Sequence, residues 1–137
     1  MIQRLVRTAS RLHTSLFRSF GGSGWIGRNT LILTTRGRRS GREISTPLFH
    51  VAEGERLYVV ASFGGNDEPP GWYKNLLADP EVTVEVGGRR GRYRARTLGA
   101  EETLAVWPKL LAMWPSYASY QKRTTRVIPV VELAPLG

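Results

Sequence analysis

The chain has 137 residues, twenty Lys/Arg against eleven Asp/Glu for a net charge of +9, and no cysteine. That length fits one domain able to bury a modest core without cross-links. The absence of Cys excludes a disulfide framework, a thiolate metal site and a cysteine nucleophile, and the isolated His13 and His50 form no metal-ligand pattern.

The charge is uneven along the chain. Residues 1–42 carry nine arginines and no acid, whereas residues 43–137 carry eleven bases and eleven acids. The positive excess therefore belongs to an amino-terminal arm and one loop, which argues against a nucleic-acid-binding surface. Residues 1–20 read as an amphipathic helix. Ile2, Leu5, Val6, Ala9, Leu12, Leu16, Phe17 and Phe20 follow helical spacing, and Arg4, Arg7, Arg11 and Arg18 share an arc of roughly 60° on the other side. Such a helix suits an anionic membrane surface. Its apolar face suits equally well packing on the domain or on a second subunit. The acid-free, Arg/Ser/Thr-rich composition is also that of organelle transit peptides, while no apolar run is long enough for a secretory core or a membrane span. Gly21-Gly22-Ser23-Gly24 reads as a flexible joint, giving an arm over residues 1–24 and a domain over 25–137.

Within the domain, strands are predicted over 30–35, 46–51 and 56–62, the last pair meeting at Glu53-Gly54. Pro70 opens a short helix over 71–78, and Asp79-Pro80 ends it. Residues 81–86 and 91–96 form a hairpin through Gly87-Gly88-Arg89-Arg90, setting Glu85 opposite Arg92 and Glu81 opposite Arg96. That pairing makes Arg90, Arg92, Arg94 and Arg96 a balanced, solvated face. Residues 101–113 are helical, with Leu104, Trp107, Leu110, Leu111 and Trp114 on one side and a kink or restart at Pro108. A further helical turn covers 116–121. Residues 127–133 close the chain as a strand that Pro129 assigns to an edge or a bulge. Antiparallel strands with helices inserted between them indicate an α+β fold, most simply a small barrel with covering helices.

The stretch Thr34-Thr35-Arg36-Gly37-Arg38-Arg39-Ser40-Gly41-Arg42 places four arginines and two glycines in one turn between strands. Guanidinium forks around backbone that can bend close suit a multiply anionic small molecule, although a surface turn can be basic without function. Ser62-Phe63-Gly64-Gly65 ends a strand with a hydroxyl and free amides. Trp72-Tyr73-Lys74-Asn75 opens a helix whose aromatics either face a ligand or dock into the core. Trp114, Tyr117 and Tyr120 recur at intervals of three, as a pocket wall or as barrel packing. There is no Rossmann fingerprint, Walker loop or Ser/His/Asp arrangement, so redox chemistry would be carried by a bound cofactor.

In this order the segments resemble the deazaflavin-dependent nitroreductases, actinobacterial split-barrel proteins that use coenzyme F420. The matching residues are Leu33-Thr34-Thr35, Gly37-Arg38-Arg39-Ser40-Gly41, Thr46-Pro47-Leu48, Ala61-Ser62, Gly64-Gly65, Trp72-Tyr73, Asn75-Leu76 and Asp79-Pro80-Glu81-Val82. Trp107-Pro108, Tyr117, Tyr120-Gln121 and Arg126-Val127-Ile128-Pro129-Val130 complete the set. The resemblance implies a split barrel of about six strands, in which Arg38, Arg39, Ser40 and Gly41 hold the coenzyme's phosphate and oligoglutamate tail. It implies that Thr46, Pro47, Ala61, Ser62, Phe63 and Gly64 cradle the ring, beside Trp72 and Asn75. Trp114, Tyr117 and Tyr120 would then line the substrate pocket. Four positions depart from the family: Glu43-Ile44 for Pro-Arg, Trp114 for a tyrosine, and Phe63 for the lysine of some relatives.

The expected activity is hydride transfer from the reduced deazaflavin to a quinone or nitroaromatic, with Ser62, Tyr117 and Tyr120 as the catalytic candidates. Coenzyme F420 is expected ahead of FMN, and no metal. The protein is expected in the cytoplasm as a monomer or homodimer, with the arm in peripheral contact with the membrane. The rivals are a non-catalytic carrier of the same coenzyme, a flavin or haem, and a basic-arm binder of nucleic acid or anionic surfaces.

Overall fold

The computed structural model describes residues 24–137; the predicted helix over 1–20 and nearly all of the arm and its joint lie outside them. The described chain opens on α1 (Gly24–Asn29), a short helix at the expected end of the joint, so the predicted boundary falls inside an element. Then come β1 (Thr30–Arg36), β2 (Glu43–Phe49), β3 (Val51–Glu53), β4 (Arg56–Val60), a single 3-10 turn (Phe63–Gly65), α2 (Gly71–Ala78), β5 (Glu81–Val86), β6 (Arg89–Thr97), α3 (Ala100–Met113), α4 (Ser116–Lys122) and β7 (Val130–Pro135). The seven strands form one curled sheet in the order β2-β1-β5-β6-β7-β4-β3, antiparallel at every pairing. This is the predicted α+β split barrel, with one strand more.

Period-two alternation decides what each strand buries. Leu31 and Leu33 of β1, Leu57 and Val59 of β4, Val82 and Val84 of β5, and Val131 and Leu133 of β7 converge inside the curl. Helix α2 closes that core with Trp72, Tyr73 and Leu76. The alternate residues Tyr58, Val60 and Val130 face outward and are covered by Val106 and Leu110 of α3, Tyr117 of α4 and Ile128. Strands β4 and β7 are thus buried on both faces, and α3 and α4 form an outer layer.

Four expectations are corrected. The hairpin turns on Gly87-Gly88 alone, with φ of +56° and +76°, so Glu85 pairs with Arg90, Thr83 with Arg92 and Glu81 with Arg94. Two consecutive left-handed glycines make the two-residue turn that matches strand twist, shifting the register by two from a four-residue loop. The carboxylates still find arginines, Glu85 the facing Arg90 at 3.5 Å and Glu81 the diagonal Arg92 at 3.6 Å. Strand β7 lies inside the sheet between β6 and β4, because Pro129 precedes it and lends only its carbonyl, to Ala61 N–H at 2.9 Å. Helix α3 runs through Pro108 as one element, and Leu104 points away from the covered face at 73% exposure. Finally, β2 starts at Glu43 and ends at Phe49; as an edge strand it accommodates Pro47.

Candidate active site

The loop between β1 and β2 closes on itself. Gly37 N–H donates to Arg42 O at 2.7 Å, Gly41 N–H donates to Gly37 O at 2.8 Å, and Arg42 N–H donates to Ser40 Oγ at 3.2 Å. Gly41 holds φ +72°, and a Cβ on Gly37 would lie 2.6 Å from Ser40 Oγ, so both positions favour glycine. The closed turn displays Arg38, Arg39 and Arg42 to solvent. Among the described residues no carboxylate lies at ion-pair distance from any of the three. Asn75 of α2 fixes the loop from inside: its Oδ1 accepts the Arg38 N–H at 3.2 Å and Arg38 Nη1 at 2.9 Å, and its Nδ2 donates to Thr35 Oγ1 at 3.2 Å. One guanidinium N–H is engaged there, and the rest of the fork keeps its donors.

A second loop leaves β4. Phe63, Gly64 and Gly65 take φ of +46°, +64° and +79° in succession. Phe63 is 58% exposed, so its left-handed backbone is strained without the offset of a buried ring. A Cβ on Gly65 would come 2.5 Å from Tyr120 O, so this loop and α4 touch backbone to backbone. Arg126 secures the loop from the far side, with Nε donating to Asn66 O at 2.8 Å and Nη2 to Ser62 O at 2.9 Å and Ala61 O at 3.2 Å. Ser62 is buried, and its hydroxyl makes no cap bond to the turn it precedes.

Aromatic rings form the adjoining wall. The Tyr117 and Tyr120 centroids lie 6.1 Å apart edge to face, and Trp107 lies 6.4 Å from Tyr117. Trp114 Nε1 donates to Tyr120 Oη at 3.3 Å, and Phe49 at the end of β2 lies 5.0 Å from Trp114. The Arg123 guanidinium sits 5.6 Å over the Tyr120 ring. Burial, and secondarily the neighbouring Tyr120, push the Tyr117 phenol above its ordinary value, so it stays neutral through the working pH range.

A family model described as F420H(2)-dependent quinone reductase matches residues 9–135. The chain belongs to that family. It is 34% identical over 137 residues to the F420H(2)-dependent quinone reductase Rv1261c of Mycobacterium tuberculosis, covering 90% of this chain and 87% of that one. A solved structure described as an F420-H2 dependent reductase (FDR-A) superposes with a TM-score of 0.72 at 37% identity, over 77% of this chain and 94% of the other. Another, described as a domain-swapped dimer, gives 0.74 at 32% identity over 92% and 98%. The haem-storage protein HutZ of Vibrio cholerae, at 15% identity and 0.62 over 93% of this chain and 91% of that one, shares the fold alone.

For an F420H(2)-dependent quinone reductase the sequence-predicted residues fall into two groups. Arg38, Arg39, Ser40 and Gly41 share the closed turn, and buried Asn75 is bonded to it. Thr46 and Pro47 are half-buried on β2, facing Leu33 and Ile32 across the ladder. Ala61, Ser62, Phe63 and Gly64 form the second loop, in contact through Gly65 with the helix that carries Tyr117 and Tyr120. Trp72 packs in the barrel core with its ring edge-on to Tyr73, the packing alternative for that helix. Sequence reasoning missed Arg126, Gln121 and Phe49 as parts of the site. The available cue for Arg126 was an arginine just ahead of Pro129 with no acid nearby in sequence.

Proposed function

We propose that this chain takes hydride from reduced coenzyme F420 and passes it to a quinone, and that it accepts nitroaromatics as well. The observation that carries the reading is the closed glycine turn whose three guanidiniums lack carboxylate partners among the described residues, within a chain of this family. Unpaired arginine forks around a left-handed glycine are the donor set that phosphate and a string of carboxylates require. Arg38, Arg39, Ser40 and Gly41 would hold that tail, and Thr46, Pro47 and the loop at 61–64 would hold the ring. When bound, the coenzyme supplies the hydride.

The protein's own contribution is binding and orientation. The loop at 61–64 and the aromatic wall of α4 bring two planar partners to one place, and the wall limits water. Tyr120 Oη already accepts from Trp114, so its own proton remains available to an acceptor oxygen. Ser62 Oγ, free of capping, is the second donor toward that oxygen as charge develops. Tyr117 serves as a neutral wall residue. The proton that completes reduction comes from solvent or from Tyr120.

The test is single-turnover oxidation of enzyme-bound reduced F420 by menadione and by a nitroimidazole, followed through recovery of the oxidised chromophore. Rapid oxidation is expected with both acceptors, at a rate that Tyr120→Phe lowers. A protein that binds the coenzyme yet leaves it reduced is a carrier instead. Among the described residues no helix is long and apolar enough to cross a membrane. For the arm we propose peripheral contact with anionic lipid through residues 1–20, which co-sedimentation with phosphatidylglycerol vesicles checks against a chain lacking that segment.

A further inference from the structure

Arg126 and Gln121 tie together three segments that carry the two halves of the site. Gln121 lies on α4, one residue after Tyr120. Its Nε2 donates to Arg126 O at 2.8 Å, and its Oε1 accepts from Ile128 N–H at 2.9 Å. The side-chain amide therefore satisfies two backbone groups of the segment entering β7, and fixes where Arg126 stands relative to the tyrosines. From there the Arg126 guanidinium reaches back sixty to sixty-five residues in sequence to the carbonyls of Ala61, Ser62 and Asn66. No carboxylate lies at ion-pair distance from Arg126 among the described residues. Its planar fork is committed to carbonyl oxygens, which it crosslinks as no single backbone donor does.

The loop it grips is also met by Arg123 Nη1 at Gly64 O (3.4 Å), by Thr124 Oγ1 at Asp67 Oδ1 (2.7 Å) and by the Tyr120 backbone at Gly65. Arg126, however, is the side chain that bonds both its start at Ala61-Ser62 and its end at Asn66. The loop's own bonds are Gly65 N–H to Ser62 O at 2.9 Å and Asn66 N–H to Phe63 O at 3.2 Å, around three left-handed residues of which one is a strained phenylalanine. We infer that Arg126, seated by Gln121, is a positioning residue that sets the separation between the loop at 61–66 and the aromatic wall of α4, and with it the hydride-transfer distance. This rests on the proposed oxidoreductase reading for its functional consequence, not for the strut itself. The tail is held elsewhere, by the β1–β2 loop, so loosening the strut should impair transfer more than coenzyme binding.

The experiment compares wild type with Arg126→Ala, Arg126→Lys and Gln121→Leu. Single-turnover hydride transfer to menadione should fall on the order of tenfold to a hundredfold in Arg126→Ala, because a small misplacement of reacting atoms is enough for that. The F420 dissociation constant, followed by intrinsic Trp fluorescence, should rise by a few-fold at most. Millimolar guanidinium should restore part of the rate lost in Arg126→Ala and leave the wild-type rate unchanged. Lysine, which keeps the charge but not the fork, should fall between, and Gln121→Leu should act in the same direction. Amide hydrogen exchange on the coenzyme-free proteins provides the independent readout: Arg126→Ala should expose the Gly65 and Asn66 amides while β1 and β5 stay protected. Unchanged exchange in that loop, or an Arg126→Ala protein that transfers hydride at the wild-type rate, overturns the inference. If wild type ignores reduced F420 but the exchange result holds, the strut stands and the oxidoreductase reading falls.

Discussion

Arginines crowd two places in this molecule, the β5–β6 hairpin and the β1–β2 loop, and three on the hairpin have the carboxylate partners that three on the loop lack among the described residues. On the hairpin Arg90 meets Glu85, Arg92 meets Glu81 and bonds Thr83 Oγ1 at 3.0 Å, and Arg96 forks onto Glu102 at 2.8 and 2.6 Å. On the loop, Arg38 meets the neutral Asn75 and no carboxylate neutralises Arg38, Arg39 or Arg42 among the described residues. Both sets are exposed, and a count of basic residues treats them alike. Local neutralisation separates them: a paired guanidinium has little field left for a ligand, and an unpaired one keeps its field and its donors.

Removing charge from each set tests that contrast directly, and the loop should give the largest effect. Arg38→Ala with Arg39→Ala should weaken F420 binding by about a hundredfold or more, since each charge-assisted contact contributes roughly 1.5–3 kcal/mol. Hydride transfer at saturating coenzyme should change little, because tail contacts are the same in ground and transition states. Fluorescence titration and single-turnover kinetics together measure the split. An equal loss of affinity from Arg90→Ala with Arg92→Ala would break the comparison and point to a long-range field instead. Converting the loop to the hairpin's condition comes next. Asn75→Asp keeps an acceptor for Arg38 but adds a carboxylate, and should weaken coenzyme binding by about tenfold. Asn75→Ala should instead act mainly on stability, at about 1–3 kcal/mol for the part-buried Arg38 N–H and the buried Thr35 hydroxyl it leaves without this partner, as read by thermal unfolding. Wild-type affinity in Asn75→Asp would remove the electrostatic argument.

Much of this was legible before any coordinates. Val82, Val84 and Val86 announced their strand by alternation, and Gly37 and Gly41 announced a turn between strands by type and spacing. What escaped was set by contacts distant in sequence or by a choice between near-equal local options. Gly87-Gly88-Arg89-Arg90 supports a two-residue or a four-residue turn, and only ladder formation across β5 and β6 selects the register. Leu104 has the spacing of a core residue, yet the outer sheet face takes Val106 and Leu110 and leaves it in water. Pro129 signals an edge by composition, but its position one residue before β7 lets that strand sit inside the sheet. Arg126 stands in the matching motif, but its role escapes the sequence because its carbonyl partners lie on a loop that only the folded barrel brings near.

The two smallest effects belong to the hairpin. The Arg96 fork and the Gly99 N–H at its end of the helix hold the Glu102 carboxyl at about 2, below its usual 4.5. A depressed carboxyl stabilises the fold above its unfolded value and loses that contribution as pH falls toward the folded one. Acid unfolding should therefore steepen between about pH 4.5 and 2, and Glu102→Gln should flatten that part of the profile by a modest amount, since both side chains of the pair are half-exposed and screened by solvent. Arg92→Ala should do least of all. It removes one ion pair at 3.6 Å and one hydroxyl contact from a half-exposed side chain, so stability should move by less than about 1 kcal/mol. Coenzyme affinity should stay within about twofold of wild type at both low and physiological salt, because Glu81 already screens this guanidinium. A salt-dependent loss of F420 binding in Arg92→Ala would show the hairpin field reaching the ligand, and the distinction between paired and unpaired arginines would no longer locate the site.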